Sequence, residues 1–218
     1  MNSFTEENYL KEIFKLMEQD GVGVTTNSIA AKLGTKAASV TDMLKKLADK
    51  KLLYHQKYKG VILSEQGKKV ALEIIRNHRL WEVFLVEKLN FKWDEVHEMA
   101  EELEHINSKE MVKRLDKYLG YPKFDPHGDP IPDVNGKLGV QKSRLLSKLG
   151  LNKTAQVIGV TDHSSSFLQY IDKLGINIGN TIKLIEIISY DQSLHISINN
   201  KSTVYVSHEV AKNILLSA

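Results

Sequence analysis

Residues 26–47, T-N-S-I-A-A-K-L-G-T-K-A-A-S-V-T-D-M-L-K-K-L, contain the pattern from which the fold is predicted. The first nine of these residues predict a short helix with Thr26 or Asn27 as the N-cap, because side-chain oxygens of these types accept the free amide protons of a helix start. Gly34 ends that helix, and a second helix follows in which apolar residues recur at helical spacing. These apolar residues are Val40, Leu44 and Leu47. Two helices joined by a tight turn are typical of a helix-turn-helix.

The flanking segments extend this unit. Residues 5–18 predict a preceding helix, since their apolar side chains form one stripe at helical spacing. Residues 52–63, L-L-Y-H-Q-K-Y-K-G-V-I-L, predict two short strands around a turn at residues 57–60. Three helices followed by a two-stranded wing make a winged helix-turn-helix.

Charge and side-chain size on this segment favour DNA as a partner. Between Lys32 and Lys69, ten lysines stand against three carboxylates, a surplus of +7. A helix fits the major groove, and small residues at its front let the backbone approach the bases. Lysines at the wing tip would contact phosphates. The residues expected at DNA are Thr26, Thr35, Lys36, Ala37, Ala38, Ser39 and Thr41, with Lys57 and Lys59 at the wing tip. A winged helix used only for protein contacts is the alternative.

The composition is that of a globular chain with a core, since 42% of the 218 residues are hydrophobic and 26% are charged. No segment approaches the roughly 18 consecutive apolar residues of a membrane span. The first residues lack the basic-then-apolar pattern of a signal peptide. Cysteine is absent, which excludes disulfides and thiolate metal sites and fits a cytoplasmic location.

The middle of the chain predicts three more helices, at residues 64–89, 94–107 and 108–119, the first of them capped by Ser64. Apolar residues of the last two have little chain nearby to cover them, which suits a dimer interface. These residues are Leu103, Ile106, Met111, Leu115 and Tyr118. A dimer also suits a helix-turn-helix, because two recognition helices one DNA turn apart read a pseudopalindrome.

The segment H-E-M-A-E-E-L-E-H, residues 97–105, concentrates potential metal ligands. Residues 94–110 hold seven carboxylates and one lysine, a charge of −6. Four side chains would share an arc of about 100° on a helix, where carboxylates repel unless a cation or proton is present. They are His97, Glu101, Glu104 and His105. His78 and Glu82, one helical turn apart, add a second pair. An exposed acidic helix face and a core role for His78 are the alternatives.

A change of composition divides the chain. Residues 125–132, D-P-H-G-D-P-I-P, contain three of the four prolines and predict a loop. Beyond residue 150, four β-rich runs and one short helix predict a small, mostly β barrel. We therefore expect a winged helix-turn-helix at residues 1–70, a helical domain at 71–137 for metal binding and dimerisation, a linker at 138–150 and the barrel at 151–218.

The order of these features resembles that of the diphtheria toxin repressor family over essentially the whole chain. The resemblance is carried by E-N-Y-L at residues 7–10, H-R-L-W-E at 78–82, H-E-M-A-E-E-L-E-H, the Pro/Gly loop and the β-rich tail. Members of this family are metal-activated dimeric transcriptional repressors. The likeness implies a mainly α fold with a β-rich C-terminal domain that is Src-homology-3-like, or FeoA-like.

The resemblance also implies metal ligands. The family's main regulatory site falls on Asn8, Glu101, Glu104 and His105. Its ancillary site falls on His78, Glu82 and His97, with Glu98 as a further candidate. Ligands from the loop or the barrel would come from Asp125, His127, Asp162 and His163.

The expected metal follows from the donor atoms. Iron-sensing members of the family place sulfur ligands at the positions of Asn8 and Glu101, whereas manganese-sensing members place carboxylates at both. Glu101 matches the manganese pattern, and Asn8 keeps an oxygen donor without the charge. An oxygen-rich site with one imidazole suits Mn(II), followed by Fe(II), as co-repressor. Zn(II) or Co(II) can substitute in vitro, because raw affinity favours them.

We therefore expect a homodimeric, metal-dependent repressor that binds a pseudopalindromic operator in double-stranded DNA and controls metal-uptake genes, without a membrane or small-molecule partner. A metal held by Asn8 and by helix 94–107 would tie the first helix to the dimer core and set the separation of the recognition helices. A metal-independent winged-helix transcription factor is the alternative. No enzyme activity is expected, because no activated nucleophile, phosphate loop or catalytic motif accompanies the acidic cluster.

Overall fold

The computed structural model describes residues 2–21, 23–56, 60–106 and 108–218. The helices in these ranges are α1 Phe4–Asp20, α2 Thr26–Lys32, α3 Ala37–Asp49, α4 Glu65–Leu89, α5 Val96–Leu103, α6 Lys109–Tyr118, α7 Ser165–Lys173 and α8 His208–Ala211, with a 3-10 turn at Leu146–Lys148. The strands are β1 Leu53–Gln56, β2 Gly60–Leu63, β3 Ser143–Leu145, β4 Thr154–Val160, β5 Thr181–Ile187, β6 Leu194–Ile198, β7 Ser202–Val206 and β8 Ile214–Ser217. Of the helices in the described ranges, none combines the length and apolar character needed to cross a membrane.

The chain divides into two compact units. Unit 1 comprises Met1–His78, Glu102–Lys109 and Pro132–Lys137. Unit 2 comprises Arg79–Glu101, Glu110–Ile131 and Leu138–Ala218.

Unit 1 contains the winged helix-turn-helix. Helices α1, α2 and α3 precede the antiparallel pair β1–β2, which is in register at Leu53 and Leu63. The predicted apolar positions of α3 are all buried, and those of α1 are buried except for Met17, which is half-buried. The principal core residues are Leu10, Ile13, Ile29, Val40, Leu44 and Leu47. The apolar spacing in the sequence thus positions α3 and leaves its opposite face to solvent.

Side-chain oxygens define the helix starts in unit 1. The Ser3 and Glu6 side chains each accept the other residue's backbone N–H, which makes a capping box. Ser64 Oγ accepts the N–H of Gly67 at 3.1 Å, as predicted. The prediction of Thr26 or Asn27 as the cap of α2 is wrong. Thr25 has the required extended backbone, and its Oγ1 accepts the N–H of Ser28 at 3.1 Å.

The base of the wing is anchored to the segment before α2. Val24 and Val61 exchange backbone hydrogen bonds of 2.8 and 2.9 Å. Gly60 has a φ of 85°, and a Cβ there would collide with the Val24 carbonyl, so only glycine fits. Lys57 and Lys59, which we predicted at the wing tip, lie outside the described residues.

A buried carboxylate joins the first turn of α1 to the end of α3. Glu6 Oε1 lies 3.1 Å from Lys46 Nζ, and Glu6 Oε2 lies 2.8 Å from Lys50 Nζ. Burial raises the pKa of Glu6, but the lysines and the Ser3 N–H outweigh it and lower the pKa to about 2. The ionised carboxylate therefore stabilises this part of the fold.

Unit 2 contains a six-stranded antiparallel sheet in the order β3-β8-β4-β5-β6-β7. Strand β4 joins the β3–β8 half of the sheet to the β5–β7 half. Its residues 154–156 pair with β5, and its residues 157–160 pair with β8 across a bulge. Its apolar face packs with α7 into one core that includes Val157, Leu168, Ile182, Ile196 and Leu216. The predicted fold class, mainly α with a β-rich C-terminal domain, is confirmed.

Four short elements of unit 2 were not predicted. Strand β3 and the 3-10 turn lie in the segment that we assigned to a linker, and β8 and α8 lie near the end of the sequence. Each has only three or four residues, too few for a periodic pattern to show.

The pKa of Glu6 gives a test of the link between α1 and α3. Because the pKa falls from 4.5 to about 2, its contribution to the free energy of unfolding is complete above pH 4.5 and is lost as the pH falls towards 2. We expect Glu6→Gln to reduce this acid dependence in urea denaturation followed by circular dichroism. Glu65→Gln, at an exposed carboxylate of α4, is the control and should retain it. Equal acid dependence in wild type and Glu6→Gln would contradict the anchor.

Candidate metal centres

The first candidate centre lies in unit 1 around Glu104, whose side chain is fully buried. Both carboxylate oxygens have partners: Oε1 lies 2.6 Å from Lys11 Nζ, and Oε2 lies 2.7 Å from His78 Nδ1. Asn77 Nδ2 donates to the Glu104 carbonyl at 3.1 Å. These contacts hold α1 and α4 to residues 102–109.

His105 forms the second half of this centre. Its Nδ1 lies 2.8 Å from Glu7 Oε2, both side chains are buried, and Phe4 stacks on the imidazole with ring centroids 4.7 Å apart. Asn8 Oδ1 is buried and has no hydrogen-bond partner among the described residues. Buried polar atoms normally have partners, so this oxygen is available to a ligand.

These residues fit a divalent cation. Two carboxylates, an amide oxygen and imidazole nitrogens make an oxygen-rich donor set without sulfur, which is the chemistry that suits Mn(II) and Fe(II). Of the four residues predicted for the main site, Asn8, Glu104 and His105 lie in unit 1. Glu101 lies in unit 2, where its Oε1 is 3.7 Å from His97 Nε2.

Glu7 and Lys11 also belong to this centre, and they were not predicted from the sequence. Their positions carried a signal, because residues 7 and 11 are four apart, and 8 and 11 are three apart, on one face of α1. Only the fold shows that this face meets residues 104–105 of the same unit.

The second candidate centre lies in unit 2. Glu82, Asp125 and His127 are buried, and each offers a ligand atom within 4.8 Å of the other two. His127 Nε2 lies 2.8 Å from the Trp93 carbonyl, which can only accept, so Nε2 carries the proton. His127 Nδ1 is buried without a hydrogen-bond partner among the described residues, 3.7 Å from Glu82 Oε1. A ring nitrogen fixed in this way by a carbonyl on the other nitrogen is typical of a metal ligand.

The Pro/Gly loop presents Asp125 and His127 rigidly. Asp125 Oδ1 accepts the backbone N–H groups of His127 and Asp129 at 2.8 and 2.9 Å. The His127 carbonyl accepts the N–H of Val160 at 3.0 Å, which ties the loop to β4. Gly128 has a φ of 92°, and a Cβ there would collide with the β4 backbone. The loop therefore cannot change its conformation without losing these backbone contacts with β4.

Burial and neighbouring charges displace the pKa values of the side chains at this centre. Burial and the charges of Glu82 and Asp129 raise the pKa of Asp125 to about 7. Burial lowers the pKa of His127, but the carboxylates of Glu82 and Asp125 outweigh it and raise the pKa to about 9. Arg79 offsets part of the negative charge, with its guanidinium 3.4 Å from Asp125 and 2.9 Å from Asp129. The Asp125 carboxyl, which retains its proton near neutral pH, is suited to exchanging that proton for a metal ion.

The other predicted ligands lie in different surroundings. His97 Nδ1 is 3.5 Å from Glu82 Oε1, so it borders the second centre, whereas Glu98 is exposed. His163 stacks on His127 at 4.8 Å between ring centroids, and burial lowers its pKa. Asp162 is not in the buried group, and its Oδ1 accepts the N–H of Ser164 at 2.9 Å.

The predicted DNA surface is exposed at the front of α3. Residues 34–39 are all exposed, and Lys36 forms the start of the helix. Thr41 is exposed and its Oγ1 donates to the Ala37 carbonyl at 2.9 Å, while Thr26 is half-buried. Small polar residues and one lysine thus form a surface open to a partner.

Known proteins match both the sequence and the fold. The family model described as "iron dependent repressor, N-terminal DNA binding domain" matches residues 2–61, and "iron dependent repressor, metal binding and dimerisation domain" matches residues 64–133. A manganese-dependent transcriptional repressor solved in complex with manganese is 32% identical, with a TM-score of 0.88 over 97% of this chain and 98% of that chain. The chain belongs to the iron-dependent repressor family. A FeoA domain model also matches residues 144–218.

Two further members of the family illustrate the range of the likeness. ScaR, solved with bound Cd2+, is 31% identical, with a TM-score of 0.78 over 97% of this chain and 98% of that chain. The iron-dependent repressor IdeR of Mycobacterium tuberculosis is 34% identical over 130 residues, which are 60% of this chain and 56% of IdeR. The latter match thus spans just over half of the relative's length.

The stacking of Trp93 on His127 provides a test of the second centre, with ring centroids 6.1 Å apart. Trp81 is the only other tryptophan, so a Trp81→Phe variant reports on Trp93 alone. We expect Mn(II) to quench the emission of Trp93, because the ion would bind His127, whose imidazole stacks on the indole. In this variant, His127→Ala should weaken the metal affinity measured by quenching by about 100-fold or more, since even outer partners of ligands are worth 10–100-fold. His208→Ala, at a half-buried histidine outside the group of Glu82, Asp125 and His127, should leave quenching intact. Quenching that survives His127→Ala would contradict the assignment.

Proposed function

We propose that this protein is a metal-dependent, DNA-binding transcriptional repressor that senses Mn(II) or Fe(II) as co-repressor. The observation that supports it is the buried centre of unit 1, where Glu104 and His105 contact α1 of the winged helix. Family membership supports the same conclusion. Zn(II) or Co(II) would substitute in vitro.

The residues of unit 1 suggest how metal binding reaches the DNA surface. Glu7 holds the first turn of α1 to His105, and the adjacent Glu6 ties the same turn to Lys46 and Lys50 at the end of α3. A divalent cation held by Asn8, Glu104 and His105 would join α1 to residues 104–105 of the same unit. A shift of the first turn of α1 would then move α3, because Glu6 couples the two helices.

We propose metal-binding roles for the residues of both centres. The main site of unit 1 consists of Asn8, Glu104 and His105, and Glu101 of unit 2 stays a candidate ligand from the family pattern. The second site consists of Glu82, Asp125 and His127. His78, His97, Glu98, Asp162 and His163 are supporting candidates. The two relatives solved with manganese and with Cd2+ favour divalent cations as the ligands.

The proposed partners are a pseudopalindromic operator and a second copy of the chain. Exposed apolar side chains in the segment matched by the dimerisation model support self-association. They are Met111, Tyr118, Tyr121 and Phe124. Such a protein would act in the cytoplasm on metal-uptake genes and would have no enzymatic activity. Its domains would end at residues 70, 137 and 150, as we expect from the sequence.

The function can be tested by operator binding in a gel-shift series on the DNA upstream of the protein's own gene. We expect binding with Mn(II) or Fe(II) and none with a chelator. Glu104→Gln should abolish activation, because it removes a charged ligand, whereas Glu102→Gln at an exposed neighbouring carboxylate should not. Equal binding with metal and with chelator would instead indicate a metal-independent winged-helix transcription factor.

The front of α3 can be tested by salt dependence. Lys36→Ala should weaken DNA binding and reduce the slope of log affinity against log salt concentration by about 0.9, the value for one phosphate contact. Lys201→Ala, at an exposed turn of unit 2, is the matched control. An unchanged slope for Lys36→Ala would place the DNA surface elsewhere.

A further inference from the structure

Lys11 is a buried cation at the candidate metal centre of unit 1. Its side chain is 1% exposed, and its Nζ lies 2.6 Å from Glu104 Oε1, whose side chain is 0% exposed. Lysine is almost never fully buried unless an opposite charge accompanies it. The Glu104 carboxylate is thus the group that allows the Lys11 ammonium to be buried.

The Lys11 ammonium contacts an oxygen atom through which Glu104 would bind a metal ion. Glu104 Oε1 contacts Lys11 and Oε2 contacts His78, so both oxygens of the carboxylate are engaged. Lys11 also lies one turn from Asn8 on the same face of α1, since the two residues are three positions apart. A divalent ion bound to Glu104 would therefore meet the ammonium at close range.

Electrostatics makes the two cations alternatives. An ammonium is a compact point charge that neutralises a carboxylate much as a metal ion does. Two like charges on one buried carboxylate repel strongly, because little water is present to screen them. Filling of the site thus requires Lys11 to withdraw from Glu104. The four-carbon stem of lysine permits such a movement without unfolding the helix.

We propose that Lys11 is a tethered cation that occupies Glu104 in the metal-free protein and competes with the metal ion for it. The identity of residue 11 then sets the metal concentration at which the site fills. It also keeps the buried carboxylate neutralised when metal is scarce, so that α1 stays packed on residues 102–109. This inference rests on the proposed function, since it assumes that Glu104 binds metal.

The test is a calorimetric Mn(II) titration of the protein carrying His127→Ala, in which the second centre binds too weakly to mask the first. Lys11→Met and Lys11→Gln should each bind Mn(II) about tenfold more tightly than the parent, within the usual range of coupling between two sites. Lys15→Met removes the same charge one turn further along α1, where Lys15 pairs with Glu12, and should leave the affinity unchanged. Glu104→Gln should lose the binding heat.

Thermal melting without metal gives an independent readout. Lys11→Met should melt at a lower temperature than the parent, because Glu104 is left buried without its ammonium, and it should gain more stability from added Mn(II). Lys45→Met, which removes an exposed ammonium from beside the exposed Asp42, should show neither effect. A Lys11→Met protein that is stable and gains no more from Mn(II) than the parent does would contradict the competition.

The wild-type protein provides a measurement that does not depend on the folding of any variant. In 15N spectra of lysine side chains, the Lys11 ammonium should be protected from water exchange without metal and should lose that protection when Zn(II) saturates the protein. Protection that persists at saturation would overturn the proposal, as would Lys11→Met and Lys11→Gln affinities equal to that of the parent. If the parent binds no Mn(II) and Glu104→Gln changes nothing, the proposed function fails first, and this inference fails with it.

Discussion

A carboxylate inside a protein needs positive charge beside it, and Glu104 imposes that requirement on unit 1. The cost of an unpaired buried charge is large, so the surroundings of Glu104 are constrained by electrostatics before any question of function arises. Lys11 and His78 satisfy its two oxygens, and Asn77 secures its backbone. Because these partners come from α1 and α4, the neutralisation of one side chain determines how the first helix packs.

The two candidate centres solve the same electrostatic problem in different ways. Unit 1 neutralises Glu104 with a lysine on a flexible stem. In unit 2, burial raises the pKa of Asp125 to about 7, the neighbouring carboxylates raise that of His127 to about 9, and Arg79 supplies the fixed charge. The first centre is therefore occupied by an internal cation and the second by protons. A metal ion would face a different competitor at each.

Periodicity and residue type predicted much of this structure, and tertiary contacts account for the rest. The spacing of Val40 and Leu44 was sufficient to define the buried face of α3, because helical geometry is local. The acidic stretch identified Glu104 and His105 as ligand candidates, and their shared burial agrees with that hypothesis, although their metal-binding role stays a prediction. The partnership of Lys11 with Glu104 joins residues 93 positions apart, so no local pattern could reveal it.

The order of the strands has a consequence for folding kinetics. Strands β5, β6 and β7 form a meander of neighbours, whereas β8 inserts between β3 and β4, pairing Ser217 with Ser143. Pairings of such long range form slowly, because the intervening chain must first be brought together. Val160, whose N–H holds the His127 loop, lies in the half of β4 that pairs with β8. We therefore expect the imidazole-bearing loop to gain its scaffold late in folding, after the meander has assembled.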